Sequence, residues 1–482
     1  MQTSLVVLAA VFALLLHQVS ALLPAHARVS FSSSLPRARS TSLQAKAKQR
    51  GTAAAAAAGV PVAPTKDRRL QYSLGKIAFS LLPLSPEATG RRKTLLTEVV
   101  RNSVWTLDQV QGIINVNVPV RSTVIKLSDG KGLFVNNPVA PTEECIAMMR
   151  GIEAESGSKV RYIVLSSLAL EHKGTAGAFS AYFPEAQVFV QPGQYSFPVN
   201  LPTWLFFPLG KSVRDIPAEA KDAPWFPDLD HRILGPLRPP GVGGFAETAF
   251  FHRASATLLV TDTIVRVDDE PPAIIQDDPR ALLYHARDDM FAEVTDSPAA
   301  RRKGWRRMVL FGLTFQPSGI EVMDTLTSIR ALARVPPAMR QLGEGAIPYD
   351  GGLYPWAWVR DDQPNFRALQ GGLLVAPILQ KLILNREPRR VLDWADEVSK
   401  WPFRRIIPCH LANDVKADGK AFRRAFSFLE KPAKQGWFGG GGGGGGGGRR
   451  APTGDEQDVA LLANVSRSLQ QQGVLYPEAP LV

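Results

Sequence analysis

Cysteine is scarce: the 482 residues hold two, Cys145 and Cys409. A secreted domain stapled by disulfides carries more, so that class is excluded. Acidic residues are absent from positions 1–66, which hold seven bases: Arg28, Arg37, Arg39, Lys46, Lys48, Arg50 and Lys66. Removing those seven from the formal charge of +12 leaves +5 on the rest, which argues against a general nucleic-acid partner. Long apolar runs are also missing. The run Leu5–Leu16 is short for a bilayer span, and "GGLLVAPILQKLIL" (Gly371–Leu384) is broken by Pro377 and Lys381. The glycine-rich "GVGGF" (Gly241–Phe245) is not followed by a helix pattern, so a phosphate cradle is not expected there.

What is present divides the chain. Residues 1–21 have the apolar core and small-residue end of a signal peptide, closing on "VSA" (Val19–Ala21). Residues 22–66, rich in Ser, Ala and bases, have the composition of a transit peptide. The two together predict delivery to a plastid, with simple secretion as the alternative. The ten glycines Gly439–Gly448 mark a linker, and residues 433–482 read as linker and tail. One helix, "DEQDVALLANVSRSLQQQ" (Asp455–Gln472), is expected in that tail and outside the core.

Between these limits strands and helices alternate. Val104–Val110, Ser122–Leu127 and Gly132–Pro138 read as strands, the last two forming a hairpin around Asp129-Gly130. Thr142–Glu155 reads as a helix capped by Thr142, with Cys145, Ile146, Met149 and Ile152 on one face. "RYIVLSS" (Arg161–Ser167) has the apolar run of a strand covered on both faces, and a short helix is expected over Gly174–Phe183. Gln187–Gln191 is another strand, and Thr248–Arg253 with Ala256–Asp262 forms a second hairpin. A helix at Val391–Trp401, the strand Arg404–His410 and a helix at Gly419–Lys431 close the pattern. This order predicts an α/β architecture of packed layers with mixed sheets. The expected domain runs over 67–262 and 391–432, interrupted by a helical insertion at 263–390, which is too long for a loop.

Three strand ends finish in metal-ligand residue types: Glu171 with His172, then Asp262, then His410. Strand ends of a layered α/β sheet converge on one edge, where ligands bind. Two imidazoles and two carboxylates suit zinc, iron(II) or manganese. In the competing reading, Glu171 and His172 pair in a polar pocket, while Asp262 and His410 satisfy turn amides and a strand end, with no metal.

This order resembles the metallo-β-lactamase fold, an αββα sandwich, over Val104 to Leu429 without the insertion. That superfamily shows a His-x-His-x-Asp-His motif after a strand, a later single His, an Asp ending a strand, and a final His at a strand end. Matching the motif's Asp-His pair to Glu171-His172 places its first two histidines at Ser167 and Ala169, so both are absent. "RPPGVGGFAE" (Arg238–Glu247) lacks the later His, and His231 fits poorly in spacing. The resemblance therefore implies a site for at most one metal, on Glu171, His172, Asp262 and His410. Glu171 would be ligand or general base, and Asp262 the other catalytic carboxylate. Within the superfamily the chain resembles an uncharacterised plastid and cyanobacterial family, through "VWTLDQ", "VPVRSTVIKL", "FPEAQVFVQPGQYSFP", "ETAFFHRASATLLVTD" and "RRIIPCH". The implied activity is hydrolysis of a small-molecule ester, thioester or phosphoester. The alternatives are a non-catalytic binding or scaffold protein and a peripheral plastid-membrane protein.

Three lesser signals remain. Lys173 would hold an anionic substrate group or stand as a solvated charge. "ARRKGWRRMVLFGL" (Ala300–Leu313) gathers five bases around Trp305 and offers either an anionic membrane contact or a solvated basic helix face interrupted by Gly304. Cys409 should point away from His410, into the core.

Overall fold

The structure is a computed structural model that describes residues 93–113, 116–128, 130–194, 213–237, 244–335, 354–431 and 452–482. The leader, Gly241–Gly243 and the polyglycine run lie outside the described residues.

Sheet one follows chain order: β1 (Leu95–Val100), β2 (Val104–Ile113), β3 (Val116–Lys126), β4 (Leu133–Asn136), β5 (Val160–Leu165), β6 (Gln187–Val190) and β7 (Val213–Asp215). Its first four strands pair antiparallel, and β4 to β7 pair parallel. The β3–β4 hairpin turns where Gly130 takes φ +71°, a backbone region that glycine enters without strain. The parallel crossovers run through α1 (Glu143–Ser156) and α2 (Leu170–Ser180). Helix α1 starts as its sequence dictates, with the Thr142 hydroxyl accepting the Cys145 amide.

Sheet two begins with β8 (Leu229–Leu237), β9 (Phe245–His252) and β10 (Thr257–Val260), the last two forming the expected hairpin. Residues 263–390 follow. Their described parts are α3 (Ala273–Asp277), α4 (Arg280–Ala286), α5 (Pro298–Thr314), a two-stranded ribbon of β11 (Ile320–Val322) and β12 (Trp356–Trp358), α6 (Thr325–Leu332), α7 (Gln363–Arg367) and α8 (Pro377–Leu382). The chain returns through α9 (Pro388–Ser399) to β13 (Arg405–Pro408) and β14 (Val415–Lys416), which complete sheet two in the order β14-β13-β10-β9-β8. Helix α10 (Gly419–Arg424) closes it.

Alternation of period two explains the layering. Phe134, Val164 and Phe189 of sheet one meet Phe250, Leu259 and Ile407 of sheet two around Trp225. Their strand neighbours Val135, Ile163 and Val188 face outward onto Cys145, Met149 and Phe179. On the far side Phe251, Leu258 and Ile406 pack with Val391, Leu392 and Phe422. Both faces of each sheet are thus covered, giving the expected αββα sandwich. Truncating one such buried aromatic side chain costs about 3–5 kcal/mol.

Two expectations are corrected. Helix α5 is continuous through Gly304, which does not interrupt it. A Cβ there would lie 1.8 Å from the Leu282 carbonyl oxygen, so glycine is what lets α4 and α5 touch. The five bases of α5 face carboxylates of this same chain: Arg301 with Asp296, Arg302 with Glu270, Lys303 and Arg307 with Asp288, and Arg306 with Asp362. The tail also joins the core. Helix α11 (Glu456–Gln471) buries Leu462 in the large cluster behind sheet two, and Leu475 follows it there. Asp458 accepts the Ser318 amide at 2.6 Å, and Arg386 donates to Ser466 at 2.6 Å. Long-range packing of this kind leaves no local mark in a tail that follows ten glycines.

Candidate metal centre

Strands β10 and β13 run parallel with Val260 opposite Pro408. Two residues past each strand end stand Asp262 and His410, so equal overruns bring them side by side. His410 Nε2 lies 3.1 Å from Asp262 Oδ1. Its Nδ1 sits 2.9 Å from the Pro119 carbonyl oxygen. A carbonyl only accepts, so Nδ1 carries the proton and Nε2 is the nitrogen turned to the site.

Glu171 and His172 arrive from the first turn of α2. The expected helix began at Gly174. The observed one begins at Leu170, after an N-cap residue, Ala169, that makes no side-chain capping bond. The pair is therefore helical, and its position was hidden because the cap carries no recognisable signal. One potential ligand atom from each of Glu171, His172, Asp262 and His410 lies within 4.8 Å of the other three. The two imidazole rings are 5.3 Å apart, centroid to centroid.

Burial sets the charges. It pushes the His172 imidazole down to about 4, against the opposing pull of Asp262, so this ring is neutral at ordinary pH. Burial works against ionising Asp262, but the hydrogen bond and charge of His410 outweigh it and hold the carboxyl below its usual range. His410 is raised for the reciprocal reason: its desolvation is overcome by Asp262.

The residues fit a divalent cation on an observation of their own. Among the described residues His172 Nε2 is buried and has no hydrogen-bond partner. An orphaned buried imidazole nitrogen is costly unless something ligates it. With two imidazoles and two carboxylates, the donor set suits zinc, iron or manganese.

Ser167 and Ala169 take up the places next to this cluster without adding a ligand. The Ser167 hydroxyl donates to Asp262 Oδ2 at 3.3 Å and accepts the Ala169 amide at 3.0 Å. Both oxygens of Asp262 are thereby engaged, one by Ser167 and one by His410. Across an isolated bridge Ser167 faces Glu247, the last residue of the segment that lacks a histidine. Glu247 was missed in the sequence, where its signal is a lone acid in the apolar strand "FAETAFFH". It is fully buried and accepts from the amides of Thr261, Asp262 and Thr263 at 2.7–2.9 Å, and from the Thr263 hydroxyl at 2.8 Å. Burial and then the Asp262 charge push its carboxyl up to about 7, against those hydrogen bonds.

Arg121, also buried, holds the other loop. It donates to the carbonyls of Pro408, Leu411 and Ala412 at 2.5, 3.2 and 3.3 Å and pairs with Asp108 at 2.6 Å. Lys173 is corrected from a solvated charge to a fully buried amine, pushed down to about 7 by desolvation against Glu171. Cys409 points into the core as expected, its thiol pushed up to about 12 by burial, and takes a hydrogen bond from Asn137 at 3.3 Å. His231 sits apart from the cluster, against the Pro217 carbonyl at 2.7 Å and beside Trp225 and Phe250.

The family profile described as "Domain of unknown function (DUF4336)" matches residues 101–428. No curated protein matches. Among solved structures, the metallo-β-lactamase FIM-1 from Pseudomonas aeruginosa in its mono-zinc form is 10% identical, covering 36% of this chain and 70% of that one, with a TM-score of 0.28. The flavodiiron core of Flv1 from Synechocystis sp. PCC6803 is 9% identical, covering 70% of this chain and 60% of that one, at 0.35. A flavo di-iron protein from Thermotoga maritima is 9% identical, covering 71% and 64%, at 0.36.

Proposed function

The chain belongs to the DUF4336 family of domains of unknown function, and from that premise we propose that it is a hydrolase dependent on one divalent metal ion, acting on an ester, thioester or phosphoester. The observation that carries this reading is the cluster of four mutually close ligand residues, one of which, His172, has a buried Nε2 with no hydrogen-bond partner among the described residues. His172 and His410 would bind the ion as neutral imidazoles, with Asp262 and Glu171 supplying oxygen. A divalent ion in such a site supplies Lewis acidity, which polarises a substrate oxygen and acidifies water. The chain's own part is to orient and to move a proton. The Pro119 carbonyl fixes the His410 tautomer and Ser167 fixes the Asp262 carboxylate, and Glu171 would take up the proton as base through the carboxylate oxygen not given to the ion. A panel of nitrophenyl esters, thioesters and phosphoesters, assayed with the zinc-, iron- and manganese-loaded chain, tests this. Turnover that falls about a hundredfold or more in Glu171→Gln supports it. No turnover on any class with any of the three metals counts against it.

A second reading rests on the His410–Asp262 contact at 3.1 Å, which closes two of the four groups on each other without an ion. In that reading the protein keeps the pocket for binding or scaffolding and performs no chemistry. The acid-free leader 1–66 supports delivery to a plastid in either case. Residues 1–66 fused to a fluorescent protein test this, with plastid import the expected result and secretion the contrary one.

A further inference from the structure

The ladder between β10 and β13 ends at Val260 opposite Pro408. Beyond it the two backbones meet through long bonds, from the Cys409 amide to the Thr261 carbonyl at 3.4 Å and from the Ala412 amide to the Arg266 carbonyl at 3.3 Å. Asp262 and His410 lie past the ladder and stand 3.1 Å apart. Strand register brings them to the same level, and two buried side chains outside the cluster hold the turns that carry them. Three consecutive amides, 261 to 263, turn onto the two carboxyl oxygens of Glu247, so the turn bearing Asp262 is wrapped around that side chain. Three carbonyls, of residues 408, 411 and 412, turn onto the Arg121 guanidinium, so the turn bearing His410 is wrapped around a cation. Glu247 is 0% exposed and Arg121 1%. A buried polar side chain stripped of its hydrogen bonds is costly, so each turn is held in one shape.

We propose that Glu247 and Arg121 are positioning residues for the ligands Asp262 and His410, one through an amide cradle and one through a carbonyl cradle, an inference that rests on the metal reading above. Glu247 is not itself a ligand: both of its oxygens are committed to the turn. A ligand set tolerates displacement of only about 0.5 Å, so relaxing either cradle should be read at the metal.

The test uses the full chain stripped of metal and titrated with cobalt(II), read by d–d absorption and by chelator competition. The variants are Glu247→Gln, Glu247→Asp and Arg121→Lys, with Glu153→Gln as control. Glu153 is a buried carboxylate that accepts the Val160 amide at 3.0 Å at the start of β5. The expected result is cobalt affinity about tenfold or more weaker in Glu247→Gln and Arg121→Lys, with altered absorption bands. Glu153→Gln, compared at matched loss of thermal stability, keeps wild-type affinity and bands. Wild-type affinity and bands in the Glu247 and Arg121 variants would overturn the proposal, as would equal weakening in the control. If a Glu247→Gln chain does not fold, Glu247→Asp, which keeps the carboxyl on a shorter arm, is read in its place. If the wild-type chain binds no cobalt, the metal reading fails separately. Amide exchange at 261–263 and 408–412 in the metal-free chain then decides the positioning. Protection lost in the Glu247 and Arg121 variants but not in Glu153→Gln upholds it, and protection unchanged sinks it.

Discussion

His410 Nε2 and Asp262 Oδ1 stand 3.1 Å apart because two parallel strands in register each overrun their ladder by two residues. The pair is largely shielded, with side-chain exposures of 15% and 10%. Removing one partner strands the other. In the metal-free chain, His410→Ala should lower stability by roughly 3 kcal/mol, and Asp262→Asn added to it should recover part of that loss. Urea unfolding of the two variants measures this. Equal stability of His410→Ala and wild type would show that the contact contributes nothing.

Acid should loosen the metal-free protein through His172. Its folded pKa of about 4 lies below its ordinary 6.5, so the unfolded chain binds the proton first as pH falls. This contribution is whole above 6.5 and is lost between 6.5 and about 4, a loss on the order of 3 kcal/mol. His410 has the opposite sign: its raised pKa gives a contribution that is whole below 6.5 and fades as pH rises through the raised value. Comparing wild type with His172→Gln by urea unfolding from pH 7 to pH 4 isolates the first effect. Parallel pH profiles for the two proteins would contradict a neutral, buried His172.

Ser167→Ala should act locally. It deletes the hydroxyl that donates to Asp262 Oδ2 and accepts the Ala169 amide. The expected loss is about 1 kcal/mol in stability. A second effect is weaker binding of metal at unchanged stoichiometry. Calorimetric titration with zinc reads both affinity and stoichiometry, and a second equivalent bound in the variant would mean that Ser167 had been blocking another ion.

Gly304→Ala should destabilise far from the site. Its Cβ would meet the Leu282 backbone oxygen at 1.8 Å, so α4 and α5 must separate. A cost of about 1–3 kcal/mol is expected, seen as a lower Tm, with metal binding unchanged. A Tm equal to wild type would show that the two helices do not pack this closely.

Much of the fold was legible. Thr142 caps α1, the expected hairpin turns at Gly130, and the apolar run after Val160 is a strand covered on both faces. The four candidate ligands could be named because each follows a recognisable strand, and strand ends share an edge. The rest depended on contacts distant in sequence. Nothing near Ala169 announces a helix start, so Glu171 and His172 read as loop. Lys173 reads as a surface charge because burial is a property of what packs over it. Glu247 and Arg121 lie on strands where a charge suggests solvent, and only the turns at 261–263 and 408–412, brought in from elsewhere, reveal why a charge sits there. The docking of α11 likewise depends on a surface built by residues far upstream.

The central claim is that Glu171, His172, Asp262 and His410 together hold one divalent ion. Metal analysis of the full chain by plasma mass spectrometry, after equilibration with zinc, iron(II) or manganese and removal of free ion, tests it most directly. The account predicts about one ion per chain, lost in the His172→Ala, His410→Ala double variant while Ser167→Ala retains it. A wild-type chain that emerges free of all three metals, with a stability that the double variant shares, would contradict it.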